Sequence, residues 1–247
     1  TGEPQGPFRL INEDPLVTAA FGLLDRKVDF EEPFYKSIHQ PLPFGNQEEP
    51  VEFFGVKGWE TEEYRKHVRV LAYRPIDGSH ALEVSCKGAD DKLVLYRPAK
   101  PIDFATACRW VRQWREEHGK NASTLHGKWN DGALHSGDTV KIPYITLENT
   151  TDFADQLQNP RKYPNVDVPG IILRAEQMTR FKLTEKGAEA RVEVSIETAF
   201  GGGRPARPVP RQFIYDKPFF VFLWREKADW PYLGVWIGDT SALHPKK

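Results

Sequence analysis

Short apolar runs separated by turn residues dominate this chain. Residues 51–56, 68–73, 81–86 and 93–96 are rich in Val, Leu, Phe or Tyr, and between them lie Pro75-Ile76-Asp77-Gly78-Ser79 and Gly88-Ala89-Asp90-Asp91. Gly and Asp supply the turn conformations that β-branched residues avoid, so the pattern predicts a meander of antiparallel strands. Residues 16–24 form a continuous apolar run that suits an element buried on both faces, strand or helix. Residues 140–148 alternate apolar and polar, 171–183 read as extended, and 152–157 suit a short helix. The aromatic-rich runs 219–224 and 232–237 bracket a turn at Ala228-Asp229-Trp230-Pro231. A helix is predicted over 103–118, with Asp103 as its cap and Gly119 just beyond its end. Phe104, Ala107, Cys108, Val111 and Trp114, spaced three and four apart, line the face of that helix that must pack on something. The expected fold class is mainly β with α (α+β): mixed, mostly antiparallel sheets with a few surface helices.

Composition adds limits. Hydrophobic residues make up 39% and aromatic residues 12%, enough apolar surface to offset the entropy of ordering the chain. The 247 residues suit one large β-rich domain or two small ones, and are read as a single domain over 1–247. Thirty-four basic and thirty-five acidic side chains leave a net charge of -1, which gives no field to draw nucleic acid or an anionic membrane. No apolar run reaches the roughly 18 residues that span a bilayer, so a soluble protein is expected. Its compartment stays open, since an extracellular protein whose signal has been removed would read the same way. Asn121 and Asn149 fit the N-glycosylation pattern. Cys86 and Cys108 are the only cysteines, too few for a disulfide framework, and Cys108 falls on the apolar helix face.

Recognisable catalytic chemistry is absent. The sequence contains no HExxH, CxxC, P-loop or GxSxG, and nothing nominates a nucleophile with its base. No enzymatic activity, cofactor or metal is expected. His126 and His135 stand near Asp131, Asp138 and Trp129, which reads as a polar surface loop rather than a metal site.

The most informative stretch runs over 184–219. Ala188, Ala190, Val192, Val194 and Ile196 alternate with Glu189, Arg191, Glu193, Ser195 and Glu197, the period of a strand with one buried side. Gly201-Gly202-Gly203 and then Arg204-Pro205-Ala206-Arg207-Pro208-Val209-Pro210-Arg211 follow. Three prolines without amide donors exclude regular structure there, so 199–212 is expected to be an exposed basic loop.

These residues resemble the serpin family of serine protease inhibitors. Glu185-Lys186-Gly187-Ala188-Glu189-Ala190 is similar to the hinge that precedes a serpin's reactive loop, and Tyr215-Asp216-Lys217-Pro218-Phe219-Phe220 to the segment that follows it. Ile142-Pro143-Tyr144-Ile145-Thr146-Leu147-Glu148 with Asp152-Phe153 resembles a central-sheet strand and the helix after it. Residues 16–34, ending Phe30-Glu31-Glu32-Pro33-Phe34, resemble another strand of that sheet, with Phe30 in place of the family's usual Trp. Gln177 stands where the family usually has His. The match covers the C-terminal, β-rich part of a serpin, so the resemblance implies an N-terminal helical part and two sheet strands with no counterpart here, and a missing N-terminal segment as one partner.

The resemblance implies a loop that a serine or cysteine protease cleaves and a hinge that then inserts as a new strand into the central sheet. Hinge and inserting strand would be Gly187, Ala188, Glu189, Ala190, Val192, Val194 and Ile196; candidate bait residues are Arg204, Arg207 and Arg211 in the 185–212 loop. Burying Val192, Val194 and Ile196 would contribute about 5–8 kcal/mol. Arg204 and Arg207 precede prolines, whereas Arg211 precedes Gln212. Against this suicide-substrate reading stands a non-inhibitory, serpin-like binding or structural protein, or a fragment that needs a partner segment. With the family's N-terminal helices and two sheet strands lacking a counterpart here, little would hold the sheet closed, so most of 188–198 is expected to be a strand already, continuing from or pairing beside 179–183, with Val192, Val194 and Ile196 inward.

Overall fold

The structure is a computed structural model that describes residues 9–14, 17–24, 29–37, 40–57, 61–88, 90–121, 132–152, 172–187 and 210–246. In chain order the elements are β1 (Arg9–Asp14), β2 (Val17–Leu24), β3 (Tyr35–Lys36), β4 (Leu42–Phe44), β5 (Glu49–Val51), β6 (Phe53–Lys57) and α1 (Thr61–Tyr64). Then come β7 (Val68–Arg74), β8 (Ser79–Ser85), β9 (Asp91–Arg97), α2 (Phe104–Asn121), β10 (Thr139–Pro143), β11 (Ile145–Asp152) and β12 (Ile172–Leu183). After β13 (Gln212–Ile214), β14 (Phe219–Arg225) and β15 (Leu233–Ile237) the chain closes with a short 3-10 turn at Thr240–Ala242. The chain groups into two compact units: Thr1–Lys27 with Thr146–Lys182, and Val28–Ile145 with Leu183–Lys247.

The first unit holds a four-stranded sheet in the order β1-β2-β12-β11. β1 and β2 are antiparallel, whereas β2 and β12 run parallel, with Gln177 opposite Gly22. The 16–24 run is therefore a strand, described over Val17–Leu24.

In the second unit three of the four runs expected as a meander, 68–73, 81–86 and 93–96, form β7, β8 and β9 of a five-stranded antiparallel sheet, β15-β14-β9-β8-β7, whereas 51–56 is split between β5 and β6 in other sheets. Its β7–β8 turn is closed by Asp77, whose carboxylate accepts from the Ser79 amide at 2.9 Å and hydroxyl at 2.6 Å. The aromatic runs pair as β14 and β15, the buried C-terminal hairpin that the serpin resemblance implies, with Phe220, Phe222, Val235 and Ile237 buried and β14 buried on both faces from Phe219 to Trp224. α2 lies on this sheet and packs Ala107, Cys108 and Val111 against Leu71, Val94, Tyr96 and Phe222. Asp103 caps the helix, accepting from the Thr106 amide at 2.8 Å. Gly119 does not end it: the helix runs on to Asn121. Both cysteines are free and buried, and burial pushes the Cys86 thiol up to about 12 and that of Cys108 to about 11.

A smaller sheet in the same unit has the order β13-β10-β6-β3, with β13 parallel to β10. Gly55 is required there, because a Cβ would lie 1.8 Å from the Val140 carbonyl oxygen across the β6–β10 pair. The 140–148 run, expected as one strand, is two strands in different sheets. Pro143 has no amide to continue the ladder, and the Tyr144 amide turns instead to the Glu52 carbonyl at 3.1 Å. The short helix expected at 152–157 lies outside the described residues apart from Asp152, which ends β11.

Candidate functional site

The expected loop has two described ends, both in the second unit. At the amino end, β12 runs into a tight turn over Thr184, Glu185, Lys186 and Gly187. The Thr184 amide donates to the Gly187 carbonyl at 2.9 Å, the Gly187 amide to the Thr184 carbonyl at 3.1 Å, and the Thr184 hydroxyl to the Gly187 carbonyl at 2.7 Å. Gly187 is buried at φ +105°, a conformation that costs a side-chain-bearing residue free energy and costs glycine little. The turn is fixed from outside as well. The Phe30 amide donates to the Lys186 carbonyl at 2.9 Å and the Phe34 amide to the Glu185 carbonyl at 2.7 Å. Phe30 and Phe34 are themselves buried and meet edge to face with ring centroids 5.4 Å apart. Phe30-Glu31-Glu32-Pro33-Phe34 therefore forms no regular strand among the described residues and seats the Thr184–Gly187 turn.

At the carboxyl end the chain is described again from Pro210. Arg211 does not stand exposed as bait: it is 7% exposed, and its side chain lies along the Asp138 carboxylate. Asp138 Oδ1 accepts from the Arg211 amide at 2.8 Å, and Oδ2 from Arg211 Nη2 at 2.7 Å, from Nε at 3.1 Å and from the His135 amide at 2.8 Å. Arg211 Nη2 also reaches the Ala133 carbonyl at 2.5 Å, and its guanidinium lies 5.3 Å from the Phe213 ring centre. Gln212 then starts β13 instead of extending a loop, with Gln212, Phe213 and Ile214 opposite Thr139, Val140 and Lys141 of β10. Of the span 199–212, residues 210–212 are described: Arg211 is buried and Gln212 opens β13, while 199–209 lie outside the described residues. Asp138, read from the sequence as part of a polar surface loop, is a buried anchor; nothing local could couple it to an Arg 73 positions away.

Behind β13 lies His80. Its ring meets Tyr215 at 4.7 Å and Phe213 at 5.7 Å, both edge to face, and its Nδ1 lies 2.9 Å from the Gly78 carbonyl. Burial, with the nearby Arg97 guanidinium, lowers its pKa to about 3, so it is neutral at physiological pH. A second buried charge cluster ties α2 to the five-stranded sheet. Glu83 bonds to Arg69 and, at 2.5 Å, to Arg115, which stacks 5.1 Å over Trp224. Burial alone would raise Glu83, but the two guanidiniums hold its carboxyl below the usual range. Between α2, β7, β8 and β9 opens a cavity of about 470 Å³ whose walls include Arg74, His80, Tyr96, Lys100, Trp110 and Trp114.

Of the residues singled out from the sequence, Gly187 and Arg211 are placed as described. Ala188, Glu189, Ala190, Val192, Val194, Ile196, Arg204 and Arg207, the expected strand over 188–198, and His126, Trp129 and Asp131 lie outside the described residues. Among the described residues no three His, Cys, Asp or Glu side chains gather as a metal site, and no helix is long and apolar enough to cross a membrane.

No protein-family model matches the chain, and no curated protein matches it in sequence. Solved structures do match, and they define a class: the chain has the serpin fold over the part of that fold it spans. A serpin from the trematode Schistosoma haematobium superposes with a TM-score of 0.55 at 15% identity, over 90% of this chain and 56% of that one. The serpin of Schistosoma mansoni gives 0.51 at 17%, over 90% and 55%. Human thyroxine-binding globulin in complex with thyroxine gives 0.55 at 12%, over 90% and 56%. The chain therefore spans little more than half the length of these proteins.

Proposed function

We propose that this chain is a serpin-type protease inhibitor that presents residues 188–209 to a serine or cysteine protease. The observation that carries this reading is the pair of built ends: a glycine hinge at Gly187 where the segment leaves β12, and an anchor at Arg211 where it rejoins the protein. Fixed ends lower the entropy lost when a protease binds the segment between them. Cleavage would free the hinge side to move while β13 keeps the other side in place. Ala188, Ala190, Val192, Val194 and Ile196 would supply the buried side of the inserted strand, and the bait residue would come from the segment itself, with Arg204 and Arg207 as its basic positions. Incubation with serine and cysteine proteases of differing specificity tests this. The expected result is an SDS-resistant adduct with one of them; clean cleavage by every enzyme, with no adduct, rejects it.

A second reading, a small-molecule binding protein, is favoured by the cavity beside α2. Its 470 Å³ fall within the size range of ligand sites, and its aromatic walls with Lys100 and Arg74 suit an aromatic, anionic ligand. Thyroxine bound to the globulin of the same fold is a molecule of that kind. Quenching of Trp110 and Trp114 fluorescence by such ligands, lost on Trp114→Ala, tests it.

A further inference from the structure

Among residues 199–212, Arg211–Gln212 is the basic bond not followed by proline, and on sequence alone it is the bond a trypsin-like enzyme would choose. We propose that Asp138 and Arg211 form a specificity-determining clamp: it closes this bond to trypsin-like proteases and ends the presented segment before Arg211. The clamp deepens the bait reading, on which it rests for the statement that 188–209 is what a protease meets.

A protease of that class must draw the Arg side chain, extended, into a pocket and align the flanking backbone as a strand. Here the guanidinium is already spent on a carboxylate 2% exposed and on the Ala133 carbonyl. The backbone is engaged as well, because the Arg211 amide donates to Asp138 Oδ1 and the Arg211 carbonyl accepts from the Thr139 amide at 2.9 Å. Charge-assisted bonds of this fork geometry are the strong kind, and separating the pair would leave a buried charge without compensation.

The loop that carries Asp138 is itself pinned. The His135 carbonyl accepts from the Thr61 hydroxyl at 2.8 Å, and the Gly132 carbonyl from the Val70 amide at 2.7 Å. Gly137, at φ +105°, lies against Pro210 so closely that a Cβ would sit 3.3 Å from the proline ring. Presenting Arg211 therefore means peeling β13 from β10 as well as freeing one side chain. With Pro205 and Pro208 after the other two arginines, the basic end of the segment is protected at each of its three arginines, twice by proline and once by the clamp.

The experiment is limited trypsin digestion of the full chain, with fragments identified by mass, for wild type, Asp138→Asn and Arg211→Lys. Both variants keep a tryptic bond at position 211. The expected result is no early fragment ending at residue 211 in wild type. Asp138→Asn should release it at least about tenfold faster, Arg211→Lys should fall between, and cutting at Lys92–Leu93 in the five-stranded sheet should not change. Early cutting after Arg211 in wild type, an unchanged rate in the variants, or a parallel rise at Lys92–Leu93 in both overturns the clamp. Arg211→Lys carries the test if Asp138→Asn does not fold. Adduct formation is not read in this experiment, so failure of the clamp and failure of the inhibitor reading remain separate results.

Discussion

The segment 188–209 is held at its two ends by different chemistry. The amino end is a backbone device, a turn of main-chain hydrogen bonds around a left-handed glycine, seated on the amides of Phe30 and Phe34. The carboxyl end is a side-chain device, a buried carboxylate that collects four donors, three of them from one arginine. A glycine turn can change its dihedral angles at little cost, so it suits a hinge. A buried ion pair is close to all-or-none, because half of it is worse than none, so it suits an anchor. The asymmetry matches what the proposed inhibitor needs: motion on one side of a cut and none on the other.

The largest effect should come from breaking the anchor. Asp138→Ala is expected to lower unfolding free energy by about 3–5 kcal/mol in denaturant titration, since Arg211 loses the buried carboxylate that collects three of its donors; a loss below 1 kcal/mol would make the two ends alike. Next is acidification, which loosens the side of β13 through His80. Its pKa is about 3 in the folded protein and near 6.5 when unfolded, so the unfolded state takes up the proton first as pH falls. The stability is fully present above pH 6.5 and lost progressively down to about 3, amounting to about 2 kcal/mol between pH 7 and pH 5. Comparing wild type with His80→Leu over that interval should show the slope flattened in the variant. At the hinge, Gly187→Ala is expected to cost about 1–2 kcal/mol through its positive φ, without changing trypsin resistance at Arg211. The smallest effect, about 1 kcal/mol, belongs to Asp103→Ala, which removes the α2 cap. That loss should leave both ends of the segment untouched, as proteolytic mapping can check.

How far the sequence carried the structure depended on the range of the interactions. The β7–β8–β9 part of the five-stranded sheet was legible because those strands follow one another with Gly- and Asp-rich turns between them, and the β14–β15 pair because its two aromatic runs lie close together in sequence; the β9–β14 pairing, across α2 and β10–β13, was not. The Asp103 cap, also local, was legible. The end of α2 was misplaced because Gly119 is tolerated inside the helix, and the 140–148 run was misread because Tyr144 finds its backbone partner on Glu52. Near the loop, the motif marked Gly187 but not the amides of Phe30 and Phe34 that hold its turn, and Arg211 read as exposed, because a basic residue after three prolines gives no sign of Asp138 beside it. His80 gave no signal at all, because a single His on an alternating strand does not reveal the rings that will pack against it.

Thermal unfolding before and after a single cut within 188–209 tests the central claim most directly. Burial of Val192, Val194 and Ile196 in an inserted strand, at about 5–8 kcal/mol, predicts a rise in midpoint of roughly 10–30 °C. An unchanged midpoint would contradict the inhibitor, and would favour a segment over 188–198 that is already paired as a strand before any protease arrives.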